Sequence, residues 1–275
     1  AEYAHLQDIR FEQYSRLTFQ QEPNGQLIIS TPGSMENIQN AAAENPDPMV
    51  SIIIPAFNAN KAPTSEAATF IAQTLDSIRQ QTYANIEIIV VDDGSTDGTQ
   101  QTILQYMQAH PDMNIRFAPR PHSGFNAITR NSGLPLISTN SNFFTMMDAD
   151  DHYADSQAIS RMVAPLLENS DLIATLGAHN TMDEYGGNVA NGSAVLTEDG
   201  SLQWDPNAII NQTNAANATL PVYMQAIMLR TNFVRPLSEN SRTHVDLGNL
   251  GRLLGQSYQL HGDLSGIQQL PADMP

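Results

Sequence analysis

Glu87-Ile88-Ile89-Val90-Val91-Asp92-Asp93-Gly94-Ser95-Thr96-Asp97-Gly98-Thr99 opens on a β-branched apolar run and breaks into an acidic, glycine-bearing turn. A near-continuous run of this kind suits a strand buried on both faces. The same pattern stands on either side of it. Val50-Ser51-Ile52-Ile53-Ile54-Pro55 is a buried strand that Pro55 should stop, and Pro55-Ala56-Phe57-Asn58 follows it. Asn142-Phe143-Phe144-Thr145-Met146-Met147 is another, followed by Asp148-Ala149-Asp150-Asp151. Met113 to Phe117 is a further strand. Between them lie helical spacings: Phe70, Ile71, Leu75 and Ile78 within 66–81, then Ile103, Leu104 and Met107 within 97–109, then a short helix over 123–131. Strands alternating with helices predict an α/β fold with a mostly parallel central sheet flanked by helices on both faces.

Outward from this segment the pattern loosens. Phe11, Tyr14, Leu17 and Phe19 have the spacing of an amphipathic helix before Pro23, and residues 26–30 read as a short strand. The stretch to Asn45-Pro46-Asp47-Pro48 is polar and punctuated by proline, so residues 1–48 read as an N-terminal extension and linker. Residues 49–275 then form one domain, with a first half over 49–155 and a second over 156–275. In the second half a helix is expected over 155–167, strands over 172–176 and 222–229, loops and hairpins over 183–219, and a helix over 246–254.

Composition removes several chemistries. The 275 residues carry 12 Lys+Arg against 29 Asp+Glu, a net charge of −17. Charged residues make up 15%, against about 25% in a typical domain, so the acidity reflects missing lysine rather than added carboxylate. No basic footprint exists to neutralise phosphates, which argues against a nucleic-acid binder. With no cysteine there is no disulfide framework, thiolate zinc site or Cys nucleophile. Lys61 is the sole lysine, so no G-x-x-x-x-G-K-[ST] loop can form, and neither G-x-G-x-x-G nor G-x-S-x-G occurs. No apolar run approaches the roughly 18 residues of a membrane span.

In an open α/β sheet, ligands bind outside the carboxyl ends of the strands. Three polar clusters follow strands here. Any one alone reads equally well as a turn, and Asp97 as a helix cap. Together they mark one edge. Asp148, Asp150 and Asp151 repel one another unless a cation or solvent relieves them. Hard oxygen ligands favour Mg²⁺ or Mn²⁺, which is typically held by one or two carboxylates plus substrate phosphates. The other reading is a solvated acidic loop.

From Val50 to Asp151 the chain resembles the nucleotide-binding half of family 2 inverting glycosyltransferases. The resemblance rests on Val50 to Asn58, Leu75-Asp76-Ser77-Ile78-Arg79-Gln80-Gln81-Thr82-Tyr83, Glu87 to Thr99, Arg130-Asn131-Ser132-Gly133 and Met147-Asp148-Ala149-Asp150-Asp151, in that order. It is looser over the second half. The resemblance implies the GT-A fold, with a Rossmann-like nucleotide-binding half and an acceptor-binding half. Pro55, Ala56, Phe57 and Asn58 would line the base and ribose. Asp93, with or without Asp92, would accept a nucleobase N–H, as a carboxylate can from the uracil imide. Arg130 would sit near the diphosphate; its other reading is a surface salt bridge. Asp150 would be the main ligand of a divalent Mn²⁺ or Mg²⁺, and Asp148, Ala149 and Asp151 would serve metal, ribose or sugar.

Inverting transfer also needs a base to take the proton from the attacking acceptor hydroxyl. The family places an acid at the start of a late helix, and Asp246 lies six residues before Arg252, as that pattern asks. Val245 departs from the pattern, and Gly248 and Gly251 weaken the helix. Asp246 is thus either the general base or a helix cap. His261 is either a third metal ligand or a polar surface residue. Trp204 is a packing anchor or a sugar-stacking ring, and Arg230 reads as structural. His122 lies near the motifs with no role assigned. The processive Q-x-x-R-W element is absent.

The resemblance implies metal-dependent transfer of a sugar from a nucleotide-diphosphate sugar, UDP before GDP or dTDP, to a hydroxyl of a glycan, lipid-linked or protein acceptor. The alternative is a non-catalytic nucleotide- or glycan-binding module of the same fold. A cytoplasmic setting is expected, with any membrane association arising through missing segments or partners.

Overall fold

The computed structural model describes residues 11–34, 47–62, 68–172, 174–177, 181–182, 188–190, 227–231 and 267–269. Its frame is four parallel strands: β3 (Met49–Ala56), β4 (Ile86–Asp92), β5 (Ile115–Pro119) and β6 (Ser141–Met146), following a hairpin of β1 (Thr18–Gln21) and β2 (Leu27–Ser30). All eight residues of β3 are buried, because β4 pairs along one side of it and β6 along the other. Its residues alternate between two covered faces. Ile52 and Ile54 join the apolar core beneath helices α1 (Phe70–Arg79) and α2 (Thr99–Ala109), which contribute Ile71, Leu75, Ile78, Ile103, Leu104 and Met107. Ile53 points to the other face, against α3 (Asn126–Gly133). β3 runs on to Ala56, past Pro55. In parallel register with Val91, the proline is accommodated at the strand's end, and the Ala56 carbonyl accepts the Asp93 N–H at 2.8 Å.

The α3–β3 contact depends on glycine. A Cβ at Gly133 would stand 2.7 Å from Ile53 Cγ2, and Ile53 is fully buried. Gly133→Ala should therefore lower stability by about 1–3 kcal/mol, the usual range for an overpacked core. Urea denaturation would read this as a lower midpoint at unchanged slope.

The complete sheet order is β1-β2-β5-β4-β3-β6-β10-β7-β11, with β7 at Ala174–Leu176, β10 at Ile227–Arg230 and β11 at Ile267–Gln269. The chain builds outward from β3 to β4 and β5, then crosses back to place β6 on β3's other side. That reversal puts a crevice at the carboxyl ends of β3, β4 and β6, where such sheets bind ligands. β10 lies antiparallel to β6, and β7 antiparallel to β10. β8 (Thr181–Met182) and β9 (Asn188–Ala190) form a separate two-stranded sheet. The helix expected over 155–167 is α4 (Ala158–Glu168). Arg230 is structural: its Nε donates to the Leu172 carbonyl at 2.6 Å, Nη2 donates to the Leu166 and Asn169 carbonyls, and the guanidinium lies over the Phe143 ring.

The amphipathic helix expected from Phe11 to Phe19 does not form. A single 3₁₀ turn covers Phe11–Gln13, and Phe19 lies in β1 opposite Ile29. Tyr14 and Leu17 are still buried, but within a turn that leads into the hairpin. β2 pairs antiparallel with β5, and Thr31 ties the junction through the Ile115 N–H and carbonyl, both at 3.0 Å. The stretch read as an extension thus adds two strands to the main sheet. Among the described residues, no helix is long and apolar enough to cross a membrane. The expected helix over 246–254, with Asp246 and Arg252, lies outside the described residues, as do Trp204 and His261.

Candidate functional site

Four loops meet at the carboxyl edge of the parallel strands, and hydrogen bonds lock them together. The loop after β3 is joined to the loop after β4. The Asn58 N–H donates to Ser95 Oγ at 2.9 Å, and Asn58 Oδ1 accepts the Thr96 N–H at 2.8 Å. Asn58 adopts a positive φ of 51°, a conformation asparagine tolerates better than most residues. Two further ties follow, Ala59 N–H to Thr99 Oγ1 at 2.8 Å and Asn60 N–H to Asp97 Oδ2 at 3.0 Å. Pro55 and Ala56 are buried beneath this seam, and Phe57 stands about half exposed above it.

The two aspartates after β4 have different surroundings. Asp92 is fully buried. Its carboxylate accepts from the Ser95 N–H at 3.1 Å, from Ser95 Oγ and from Gln100 Nε2 at 2.6 Å. Burial pushes the Asp92 carboxyl above the ordinary range, and the Ser95 and Gln100 bonds oppose that rise. Asp92 thus braces the loop from inside. Asp93 faces the loop after β5. Arg120 Nη1 reaches its Oδ1 at 2.6 Å, and Ser123 donates through both its N–H, at 3.1 and 3.0 Å to the two oxygens, and its Oγ, at 2.8 Å. The Gly124 N–H adds a bond at 3.3 Å, and His122 Nδ1 lies 2.9 Å from Oδ2. The His122 ring stacks on Phe57 with centroids 4.3 Å apart and planes 19° from parallel. The two loops approach so closely that a Cβ on Gly94, itself at φ +72°, would meet the His122 backbone nitrogen at 2.7 Å.

The acidic loop after β6 is pinned to α1. Thr74 Oγ1 donates to the Asp151 carbonyl at 2.7 Å, the Tyr153 N–H donates to Ser77 Oγ at 3.2 Å, and Gln81 Nε2 donates to the Asp155 carbonyl at 2.7 Å. Arg130, from α3, places Nη2 2.6 Å from Asp148 Oδ1, while its Nε is buried without a hydrogen-bond partner. Ala149 is buried and Asp151 half-buried. Asp150 is exposed, and among the described residues nothing engages its carboxylate. Among those residues no group of three or more His, Cys, Asp or Glu is gathered to hold an ion unaided. The donors on offer are hard carboxylate oxygens with Asp150 open. Such a set suits Mg²⁺ or Mn²⁺ when a ligand's phosphates complete the coordination.

The fold therefore gathers Phe57, Asn58, Asp93, Arg130, Asp148, Asp150 and Asp151 on one sheet edge and places Asp92 behind it. It adds Arg120, His122 and Ser123, to which sequence reading gave no role. Their signal was the polar run Arg120-Pro121-His122-Ser123, which follows a parallel strand just as the three recognised clusters do.

The sequence profile of glycosyl transferase family 2 matches residues 51–233. The chain belongs to glycosyl transferase family 2. Over 105 residues it is 34% identical to glycosyltransferase GlyA of Streptococcus pneumoniae serotype 4, covering 38% of this chain and 13% of that protein. Among solved structures the GT-A fold recurs in S. aureus TarS 1-349 in complex with UDP, at a TM-score of 0.54 and 18% identity, over 82% of this chain and 58% of that one. It recurs also in the mannosyltransferase PcManGT from Pyrobaculum calidifontis in complex with GDP-Man and Mn²⁺, at a TM-score of 0.52 and 16% identity, over 88% and 63%. This family 2 chain spans less than two thirds of each of these proteins. Its matched region takes in all four site loops and ends just beyond β10.

Proposed function

We propose that this family 2 domain transfers a sugar from a nucleotide-diphosphate sugar, with UDP as the carrier, to an acceptor hydroxyl with inversion. The observation that carries this reading is the shared edge: Asp93 beside the Phe57 ring at the ends of β4 and β3, and Arg130 beside the acidic loop at the end of β6. One end of that edge suits a flat, N–H-bearing base, and the other a diphosphate. The UDP bound in TarS and the GDP-Man and Mn²⁺ bound in PcManGT support a donor site of this class.

In this reading Phe57 and Asn58 line the base and ribose, and Asp93 accepts the imide N–H. Arg130 turns its guanidinium from Asp148 toward the departing diphosphate, where a charge-assisted bond is worth most in the transition state. Asp150, with Asp148 and Asp151, would hold a Mn²⁺ or Mg²⁺ ion that supplies further neutralisation of that charge. The acceptor oxygen bonds to the anomeric carbon as the carbon–diphosphate bond breaks, and Asp246 receives the hydroxyl proton. Acceptor choice falls to the second half of the chain.

The test is UDP release from a panel of UDP-sugars with Mn²⁺, with and without simple glycoside acceptors. Release that depends on both sugar and acceptor supports the reading; UDP binding with no release from any donor favours the non-catalytic module. Within the donor site, Asp93→Asn should weaken UDP binding by roughly ten- to a hundredfold, since hydrogen bonds to a charged partner contribute about 1.5–3 kcal/mol. Calorimetric titration checks it.

A further inference from the structure

The neighbourhood of Asp93 is already saturated. A carboxylate offers about four lone-pair positions. Here Arg120 Nη1, the Ser123 N–H and Oγ, the Gly124 N–H and His122 Nδ1 all converge on it, and the residue is only 3% exposed. A base N–H can reach this carboxylate only if one of those donors leaves.

His122 is the donor built to leave. Its side chain is 49% exposed, whereas that of Arg120 is 21% exposed. The bonds from Ser123 and Gly124 come largely from the backbone. His122 Nδ1 faces two acceptors, the Asp93 carboxylate at 2.9 Å and the Asp93 carbonyl at 2.8 Å, so Nδ1 carries the hydrogen. The imidazole therefore offers a flat ring stacked on Phe57 together with a ring N–H directed at Asp93. Those are the two contacts that a uracil ring would make in this subsite: a π-face against Phe57 and an imide N–H to the carboxylate.

We propose that His122 is an internal surrogate for the nucleobase, occupying the base subsite and yielding it to the donor. This rests on the proposed reading of Asp93 and Phe57 as the base site. A base displaces the imidazole from Phe57 and takes over its bond to Asp93. Arg120 Nη1 and the Ser123 amide stay bonded to the carboxylate and hold it in place for the incoming N–H. The subsite so vacated favours a base that presents a ring N–H to the carboxylate, as uracil and thymine do. Cytosine, whose N3 carries no hydrogen, lacks the ring N–H and can offer the carboxylate only its exocyclic N4–H. His122 thus lowers affinity for every base and lowers it least for those that replace its bond.

The test compares wild type with His122→Ala by calorimetric titration of UDP and CDP in Mg²⁺. The half-exposed position makes loss of folding an unsuitable explanation for any change, and circular dichroism checks this. The substitution should tighten UDP binding roughly three- to tenfold, the range of one displaced aromatic stack, while UDP stays favoured over CDP. In wild type, the His122 Cε1–H resonance, assigned by its loss in His122→Ala, should move on adding UDP toward its position in Phe57→Leu, because the ring leaves Phe57. Unchanged or weaker UDP binding in His122→Ala, or a resonance that stays put while UDP binds, overturns the surrogate role and leaves the base site standing. Absence of UDP binding in both proteins overturns the surrogate and the base site together.

Discussion

Asp150→Ala is expected to lower sugar-donor turnover by about a thousandfold or more while leaving the melting temperature nearly unchanged. Asp150 is the exposed carboxylate of the acidic loop, and nothing else described holds it. Its removal takes away no packing and relieves repulsion with Asp148 and Asp151, so stability should stay within roughly 0.5 kcal/mol of wild type. In the proposed reading, the cost falls on the departing diphosphate. Divalent neutralisation of a leaving phosphate contributes several kcal/mol, and each 1.36 kcal/mol is a factor of ten in rate. Asp148 cannot take over fully, because Arg130 already engages its Oδ1. Steady-state kinetics beside a thermal melt would show the split. An Asp150→Ala protein with near wild-type turnover would remove this loop from the chemistry.

Glu87→Leu should have the opposite signature, with stability falling by about 3–5 kcal/mol. Glu87 is 1% exposed, near the start of β4. Its carboxylate accepts from Ser51 Oγ at 2.6 Å, from the Ser138 N–H at 3.1 Å and Oγ, and from the Arg116 guanidinium. Arg116 also bonds the Leu136 carbonyl, so the cluster ties β3, β4 and β5 to the turn after α3. Removing Glu87 leaves the largely buried Arg116 guanidinium without its counter-charge and the Ser51 and Ser138 hydroxyls without that acceptor, which is the costly way to break such a network. The double variant Glu87→Leu/Arg116→Met removes both charges and should regain much of the loss. Chemical denaturation of the three proteins measures both effects. A native-like midpoint for Glu87→Leu would mean that the cluster contributes little. The domain's total stability is on the order of 5–15 kcal/mol, so a loss of this size endangers the fold at physiological temperature.

The parallel core was legible because β3, β4 and β6 are covered on both faces, and double coverage writes itself as near-continuous runs of Ile, Val, Phe and Met. The turn clusters after those strands were legible for the same reason, since each begins where the apolar run stops. Of the hairpin, β2 was legible as the apolar run within 26–30, but β1 and the pairing of the two were not. Thr18-Phe19-Gln20-Gln21 has little strand character of its own, and Tyr14 and Leu17 happen to be three apart. Pairing of Phe19 with Ile29, and of β2 with β5, overrode that helical spacing. In the site, the Asp93 motif could be read, but its donors could not. Arg120, Ser123 and Gly124 lie 27 to 31 positions further along the chain and meet Asp93 only because β5 lies parallel beside β4. Ser51 and Glu87 read as polar interruptions in apolar strands, and only the sheet register shows them to be partners.

The direct test of a nucleotide-diphosphate donor site at this edge is thermal unfolding with UDP, GDP, dTDP and CMP, each with Mn²⁺ or with EDTA. A ligand at about 100 times its dissociation constant adds roughly 2.7 kcal/mol, a rise of several degrees for a domain of this size. The expected result is a rise with UDP that needs Mn²⁺, shrinks in Asp93→Asn and disappears in Asp150→Ala. No rise with any of the four nucleotides, in either condition, would contradict a donor site on these residues.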